Sequence, residues 1–206
     1  IGIVHFDDLD DPAGAEYHYR RAIAEGDVVS GRLLGEVLEH QDRHAEALEY
    51  LEPAAAAGDP HALVPLGWAY RKLGRYAEAE QAYLSAYDMR LDEEAVYYLG
   101  TTYTDQGKLD EAAALYRRAL SAGDKSVLLN LGDIVALQGD SHQAITIYRQ
   151  AVAAGDRLAW NNLGVELEHI GKYGQARKAF SAGAQLGDPL AAENLVKTRV
   201  HRHRHY

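Results

Sequence analysis

Three asparagines stand at a constant spacing in the second half of this 206-residue chain. Asn130, Asn162 and Asn194 follow one another at intervals of 32 residues. A carboxamide offers both N–H donors and a carbonyl acceptor, so such a column could pair with the backbone of an extended peptide whatever its sequence. The same groups could instead form hydrogen bonds between neighbouring helices and join adjacent structural units. The sequence leaves both roles open.

Residues with metal-binding or catalytic potential occur only in weak arrangements. His40 and His44 have a spacing that would suit a metal ion on one helix, but residues 41–43 between them form a predicted turn. The tail over residues 201–205 alternates histidine with arginine, whose charge opposes cation binding, and is predicted to be a frayed terminus. Nucleotide-binding, zinc-protease and nucleophile-elbow motifs are absent from the sequence. We therefore expect no enzymatic activity, no cofactor and no metal.

These residues lie within a longer pattern that repeats along the chain. Each leucine of a repeated Leu-Gly pair is followed by an alanine thirteen residues later, and by a bulky residue four positions after that alanine. A period in the range of roughly 20 to 50 residues is typical of a solenoid of stacked supersecondary units. The leucines of these pairs are Leu34, Leu66, Leu99, Leu131 and Leu163.

Each period predicts a pair of antiparallel helices. In the third unit Ala95, Val96, Leu99 and Tyr103 have the spacing of one buried helix face. A glycine, or Asp42 in the first unit, is expected to end each first helix with a positive φ. A Gly-Asp pair closes most units, and its aspartate is expected to accept backbone N–H groups at the start of the next helix.

The glycine of each Leu-Gly pair lies inside a predicted helix. A glycine there costs roughly 0.5 to 1 kcal/mol relative to alanine, so its recurrence predicts a close helix crossing. The alanines at the thirteenth following position are the expected partners at that crossing.

These residues resemble the tetratricopeptide repeat, and the Ala-x-x-x-Gly-Asp link between units resembles that of Sel1-like repeats. The resemblance implies an all-α fold, a right-handed α-solenoid of stacked antiparallel helical hairpins. The second unit carries the pattern as Leu63, Leu66, Gly67, Tyr70, Ala79, Tyr83 and Ala86.

The period predicts one repeat array over residues 1–206. Ile1-Gly2 is similar to the tail of a Leu-Gly helix, and the chain begins without Met, so we expect a fragment of a longer protein. The last unit of a solenoid needs a cap, which the sequence offers after the fifth repeat. The predicted parts are a partial repeat 1–26, repeats 27–58, 59–91, 92–123, 124–155 and 156–187, and a capping helix 188–200.

Composition limits the partners. The chain has 31 acidic and 21 basic residues, a formal charge of −10, and no cysteine. The negative charge disfavours nucleic acid and anionic membranes. The absence of cysteine and of a long apolar run predicts a soluble, cytoplasmic protein without disulfides.

The resemblance also implies ligand-facing residues. In the tetratricopeptide family the first helices line a concave groove, and the fifth, sixth, ninth and twelfth positions face the ligand when the leucine is seventh. The lysine, arginine and asparagine clamp for acidic peptide tails is absent, because Val64, Pro65 and Leu129 occupy positions that it needs. The transferred groove residues are Arg32, Glu36, Glu39, Trp68, Arg71, Tyr97, Tyr98, Thr101, Thr104, Asn130, Asp133, Asn161, Asn162, Glu168, Glu193, Asn194 and Lys197.

Trp68 is the most distinctive of these residues. With Arg71, Tyr97 and Tyr98 it could form an aromatic shelf with one cation, suited to a hydrophobic or carboxylate-bearing side chain. Ordinary packing between repeats is the alternative. Overall, the sequence predicts a protein-protein interaction scaffold that binds a peptide or partner segment in the groove. The alternative is a structural or regulatory module that self-associates as a homo-oligomer or covers an attached catalytic domain.

Overall fold

The computed structural model describes residues 11–27, 29–89 and 94–201, and within them all regular structure is helical. The predicted features at Ile1-Gly2 and over residues 202–205 lie outside this part of the chain. No helix in the described ranges is long and apolar enough to cross a membrane. The helices are α1 Pro12–Ala24, α2 Val29–His40, α3 His44–Ala56, α4 Leu63–Lys72, α5 Tyr76–Asp88, α6 Ala95–Asp105, α7 Leu109–Ser121, α8 Leu128–Leu137, α9 Ser141–Ala153, α10 Ala159–His169, α11 Tyr173–Gln185 and α12 Pro189–His201.

The helices belong to two compact units, residues 1–102 (unit 1) and 103–206 (unit 2). In unit 1, α2 pairs with α3 and α4 with α5, while α1 packs on α2 and α3 on α4. In unit 2, α8 pairs with α9 and α10 with α11, α7 packs on α8, α9 on α10, and α12 on α11. Hairpins of the predicted period thus build both units, and the expected all-α repeat fold is confirmed.

The predicted helix ends are also confirmed. Gly58 has a φ of 89°, and Asp42 is a non-glycine residue with a positive φ, 58°. The Asp59 carboxylate accepts the backbone N–H of His61 at 3.0 Å, as the aspartate of the Gly-Asp pair was expected to do. One detail differs, because Pro60 opens a single 3-10 turn, Pro60–Ala62, and the α-helix begins only after it.

The expectation that the helical glycines pack against the repeated alanines is wrong. A Cβ atom built on Gly132 would lie 2.5 Å from Cε1 of Tyr148, and one built on Gly164 would lie 2.4 Å from Cε1 of Phe180. The bulky residue of the second helix therefore fills the space that a side chain would need. The alanine thirteen residues after the leucine, such as Ala144, is fully buried, but its atoms are not the nearest ones.

The last helix, α12, packs its Ala191 against α11. A Cβ atom on Gly183 would lie 2.7 Å from Cβ of Ala191, and Ala191 is fully buried. Asp188 accepts the backbone N–H groups of Leu190 and Ala191 at the start of this helix. Away from α11, Leu190 and Val196 of α12 are each 60% exposed. A capping role for α12 and the division into repeats stay predictions.

Candidate ligand-binding surface of the first helices

Helices α2, α4 and α6, which the period predicts as first helices, line one groove in unit 1. It has a volume of about 490 Å³, and we call it the Trp68 groove. Residues from α2, α4 and α6 meet there, including four of the predicted groove residues, Glu36, Glu39, Trp68 and Tyr98. A smaller depression of about 380 Å³ adjoins it and shares Glu36, Val64 and Pro65. The Trp68 groove is lined by Glu36, Glu39, His40, Asp42, Val64, Pro65, Trp68, Lys72 and Tyr98.

The predicted aromatic shelf is present beside this groove. Tyr98 lies edge-on to Trp68 with ring centroids 5.5 Å apart, and Tyr97 lies edge-on to Tyr98 at 5.4 Å. The guanidinium carbon of Arg71 is 5.4 Å from the centre of the Trp68 ring. Nζ of Lys72 is closer, at 4.8 Å, and sequence reasoning missed it. Its position four residues after Trp68 on one helix was the available signal.

Other predicted groove residues of unit 1 are engaged in internal contacts. Arg32 forms ion pairs with Glu36, one turn later on the same helix, and with Asp59, 3.1 Å away at the next hairpin. The Thr101 hydroxyl donates to the backbone carbonyl of Tyr98 within α6. These side chains therefore contribute to the fold of unit 1, and a ligand would compete with those contacts.

Glu39 is the buried acidic wall of the Trp68 groove. Its Oε2 lies 2.8 Å from Nδ1 of His44, and only 8% of its side-chain surface is exposed. Within the described residues, its Oε1 is buried and has no hydrogen-bond partner. Burial raises the pKa of Glu39, although the contact with His44 opposes the rise.

The two histidines considered for metal binding lie on different helices, His40 at the end of α2 and His44 at the start of α3. His44 is tied to Glu39 on α2, whereas His40 is exposed at the end of that helix. The described ranges contain no group of three or more histidine, aspartate or glutamate residues placed to hold a metal ion.

In unit 2 the polar groove positions form a continuous chain of hydrogen bonds. Asp133 accepts from the Tyr148 hydroxyl at 2.6 Å and from the Asn162 amide at 2.8 Å. The Asn161 amide donates to Asn162 at 3.2 Å, and the Asn194 amide donates to Asn161 at 2.9 Å. The chain links α8, α9, α10 and α12. Burial raises the pKa of Asp133, and the two hydrogen bonds that it accepts partly offset this.

Two members of the asparagine column therefore make the inter-helix bonds that were the alternative to ligand binding. Asn162 joins α10 to α8, and Asn194 joins α12 to α10. Asn130 is half-buried on α8 and does not take part in this chain. Lys197, the last predicted groove residue, pairs with Glu193 at 2.7 Å on the exposed side of α12. None of these contacts tests ligand binding.

Comparison with protein families gives a consistent result. A family model described as tetratricopeptide repeat matches residues 64–127 and 129–193, which is more than half of the chain. A second model with the same description matches residues 28–53. No curated protein matches the sequence.

Several solved structures share the fold. The APC/C hetero-tetramer Cut9-Hcn1 superposes with a TM-score of 0.63 at 17% identity, over 93% of this chain and 40% of that chain. YrrB, described as a TPR protein with an unusual peptide-binding site, has a TM-score of 0.59 at 19% identity, over 85% and 96% of the two chains. The protective antigen c5321 of uropathogenic Escherichia coli, which displays an SLR fold, has a TM-score of 0.61 at 23% identity, over 90% and 44%. This chain thus spans less than half the length of two of these three proteins, and the likeness concerns the fold alone.

Proposed function

Because this chain belongs to the tetratricopeptide repeat family, we propose that it is a non-enzymatic scaffold that binds an extended segment of a partner protein along the first helices of its hairpins. The observation that carries the proposal is the Trp68 groove, since three first helices contribute to one concavity with an aromatic wall. The peptide-binding site of YrrB, a protein of the same fold, is consistent with this use of the fold.

Each unit has its own candidate contacts for such binding. The asparagine column of unit 2 supplies contacts that do not depend on side-chain sequence, through the amide groups that Asn162 and Asn194 use in part for internal hydrogen bonds. Asn130 adds a donor and an acceptor on α8. The Trp68 groove supplies selectivity through its ring surface and its charged rim.

The expected affinity follows from these contacts. A hydrogen bond from an asparagine to a peptide group contributes about 0.5 to 1.5 kcal/mol net, so three of them give roughly 2 to 4 kcal/mol. Micromolar binding needs about 8 kcal/mol. The asparagines of unit 2 alone are therefore insufficient for micromolar binding, and contacts with the side chains of the ligand have to provide the remaining share of about 4 to 6 kcal/mol.

Capture of a partner by variants of the chain tests the proposal. For a protein that the parent captures, we expect Asn130→Ala to weaken capture and the combination of Asn130→Ala with Asn162→Ala to abolish it. Trp68→Ala should weaken the capture of some partners and not of others. Asn130→Ala alone leaves the hydrogen-bond chain of unit 2 intact, so its effect cannot come from that network. Gln150→Ala, on the exposed side of the second helix α9, is the matched control. Retention of every partner by the folded double variant, with circular dichroism unchanged, would contradict the proposal.

The exposed side of α12 favours self-association as a second candidate function. Leu190 and Val196 of this helix are each 60% exposed, and their spacing of six residues places them about 120° apart around the helix axis. A second copy could cover either side chain. If so, Val196→Lys should convert a dimer into a monomer in light scattering, and a parent that is monomeric at high concentration would exclude this candidate.

A further inference from the structure

Two buried polar atoms beside the Trp68 groove lack hydrogen-bond partners within the described residues. One is Oε1 of Glu39, a residue that lines the groove, and the other is the hydroxyl of Tyr83. Tyr83 stacks on Tyr98, another wall of the groove, with ring centroids 5.6 Å apart. Buried polar groups are nearly always satisfied by protein, water or ligand, so each unpaired atom calls for a partner.

Unit 2 explains why Tyr83 is unpaired. Tyr148 occupies the equivalent position, seventeen residues after the leucine of its Leu-Gly pair, and donates its hydroxyl to Asp133. The residue equivalent to Asp133, two positions after the leucine, is Trp68 in unit 1. An indole ring has a donor but no acceptor, so Trp68 cannot replace the carboxylate. The tyrosine hydroxyl that has an internal acceptor in unit 2 therefore lacks one in unit 1.

The charges around the groove favour a ligand that donates hydrogen bonds. Three of the lining residues are acidic: Glu36 is already paired with Arg32, Asp42 has 90% of its side-chain surface exposed, and Glu39 is buried with a free acceptor oxygen. Two cations of α4 lie near the Trp68 ring: Lys72, which is exposed and is the nearer one, and Arg71. A cation is thus already drawn to the ring surface, and the flexible stem of Lys72 allows its displacement.

We propose that the Trp68 groove binds an arginine side chain of the partner segment, with its guanidinium stacked on Trp68 and donating to Oε1 of Glu39. This inference rests on the proposed scaffold function and names its ligand class. The guanidinium is planar, carries five donors and is more weakly hydrated than an ammonium group, so it suits a site with a buried acceptor beside an aromatic face. It replaces Lys72 over the ring, whereas a carboxylate would face Glu36, Glu39 and Asp42.

Short peptides and two built-in reporters test this assignment. The chain contains two tryptophans, Trp68 in the groove and Trp160 in unit 2, so the NMR signal of each indole N–H distinguishes the groove from nonspecific binding. The probes are blocked Ala-Ala-X-Ala-Ala peptides in which X is arginine, its uncharged analogue citrulline, leucine or glutamate. We expect the arginine peptide to shift the Trp68 signal saturably and to leave that of Trp160 in place. Citrulline should bind at least about tenfold more weakly, because charge-assisted hydrogen bonds are roughly twice as strong as neutral ones.

Two substitutions give opposite expected effects. Glu39→Gln should weaken arginine binding about tenfold, whereas Lys72→Met should strengthen it several-fold because the competing cation is removed. Glu46 is an acidic residue of α3 outside the groove lining, so Glu46→Gln should leave the affinity for the arginine peptide unchanged. If Glu39→Gln fails to fold by circular dichroism, the citrulline and Lys72→Met comparisons still decide the question with folded protein.

Three results would overturn the assignment. If the glutamate peptide shifts the Trp68 signal and loses affinity with Lys72→Met, the ligand is a carboxylate. If the signals of both tryptophans shift equally, the binding is nonspecific. If none of the peptides shifts the Trp68 signal, water is left as the partner of the buried atoms. If the captured partner still depends on Asn130 and Asn162 in any of these cases, the arginine site fails while the scaffold function stands.

Discussion

Replacement of Gly132 by alanine tests the helix crossing on which each hairpin depends. The new Cβ atom would lie 2.5 Å from Cε1 and 2.7 Å from Cδ1 of Tyr148, distances that unstrained packing does not allow. The Tyr148 ring cannot easily withdraw, because it is only 2% exposed and its hydroxyl is held by Asp133. Either the ring or the helix has to move.

The expected loss of stability is the difference between two effects. Overpacking a core costs about 1 to 3 kcal/mol, whereas exchanging glycine for alanine within a helix gains about 0.5 to 1 kcal/mol. We therefore expect Gly132→Ala to lower the free energy of unfolding by about 1 kcal/mol, within a range of about 0 to 2.5 kcal/mol. Gly174 provides the matched control, since it lies in α11 and a Cβ there would have no neighbour within 4 Å. Gly174→Ala should raise stability by about 0.4 to 1 kcal/mol.

Urea denaturation followed by circular dichroism measures both changes. The expected result is a lower midpoint for Gly132→Ala and a higher one for Gly174→Ala. In a Tyr148→Ala background the cost of Gly132→Ala should largely disappear, because the clashing ring is gone. If Gly132→Ala were as stable as Gly174→Ala, the close-crossing explanation for the repeated glycine would be refuted.

Three other changes test the packing within the units. Burial raises the pKa of Asp133, so the free energy of unfolding falls as pH rises from the usual carboxyl pKa through the raised value. Asp133→Asn, whose amide oxygen can accept the same two bonds, should therefore gain stability relative to the parent as pH rises above the usual carboxyl pKa of about 4, and urea melts showing a pH-independent difference would contradict this. The Arg43 guanidinium lowers the pKa of Glu16, so this pair stabilises the docking of α1 above the usual carboxyl pKa, and the contribution is lost as pH falls through the lowered value. Arg43→Gln should speed amide exchange in α1 up to about fivefold at neutral pH, as suits a largely solvent-accessible ion pair, and equal acceleration in α10 would count against it. Deletion of residues 189–206 should open the α10–α11 hairpin first, because solenoid stability is a sum of neighbour terms, and a uniform loss of amide protection across unit 2 would be the opposing result.

Much of the fold was predictable because it depends on local signals. The period of the leucines predicts the hairpins. The helix ends are predicted by residues that tolerate a positive φ, such as Gly58 and Asp42. The partner of the helical glycines was not predictable in this way. It depends on how far the second helix is rotated at the crossing, which brings the ring of Tyr148 over Gly132 instead of the smaller Ala144.

The candidate site was predictable only in part. The aromatic shelf of Trp68 and Tyr98 follows from repeat positions, and both residues do meet in the structure. The sequence could not decide the role of Asn162, because its internal partner Asp133 lies 29 residues earlier and is reached only through the stacking of hairpins. The unpaired oxygen of Glu39 likewise depends on burial, which no local pattern encodes.

Site-specific photo-crosslinking to the captured partner tests the central claim most directly. A photoreactive amino acid at position 72, exposed on the first helix α4, is compared with one at position 81, exposed on the second helix α5 of the same hairpin. The proposed function predicts that the partner crosslinks from position 72 and not from position 81. Crosslinking from position 81 alone, or equally from both, would show that the first helices do not form the binding surface.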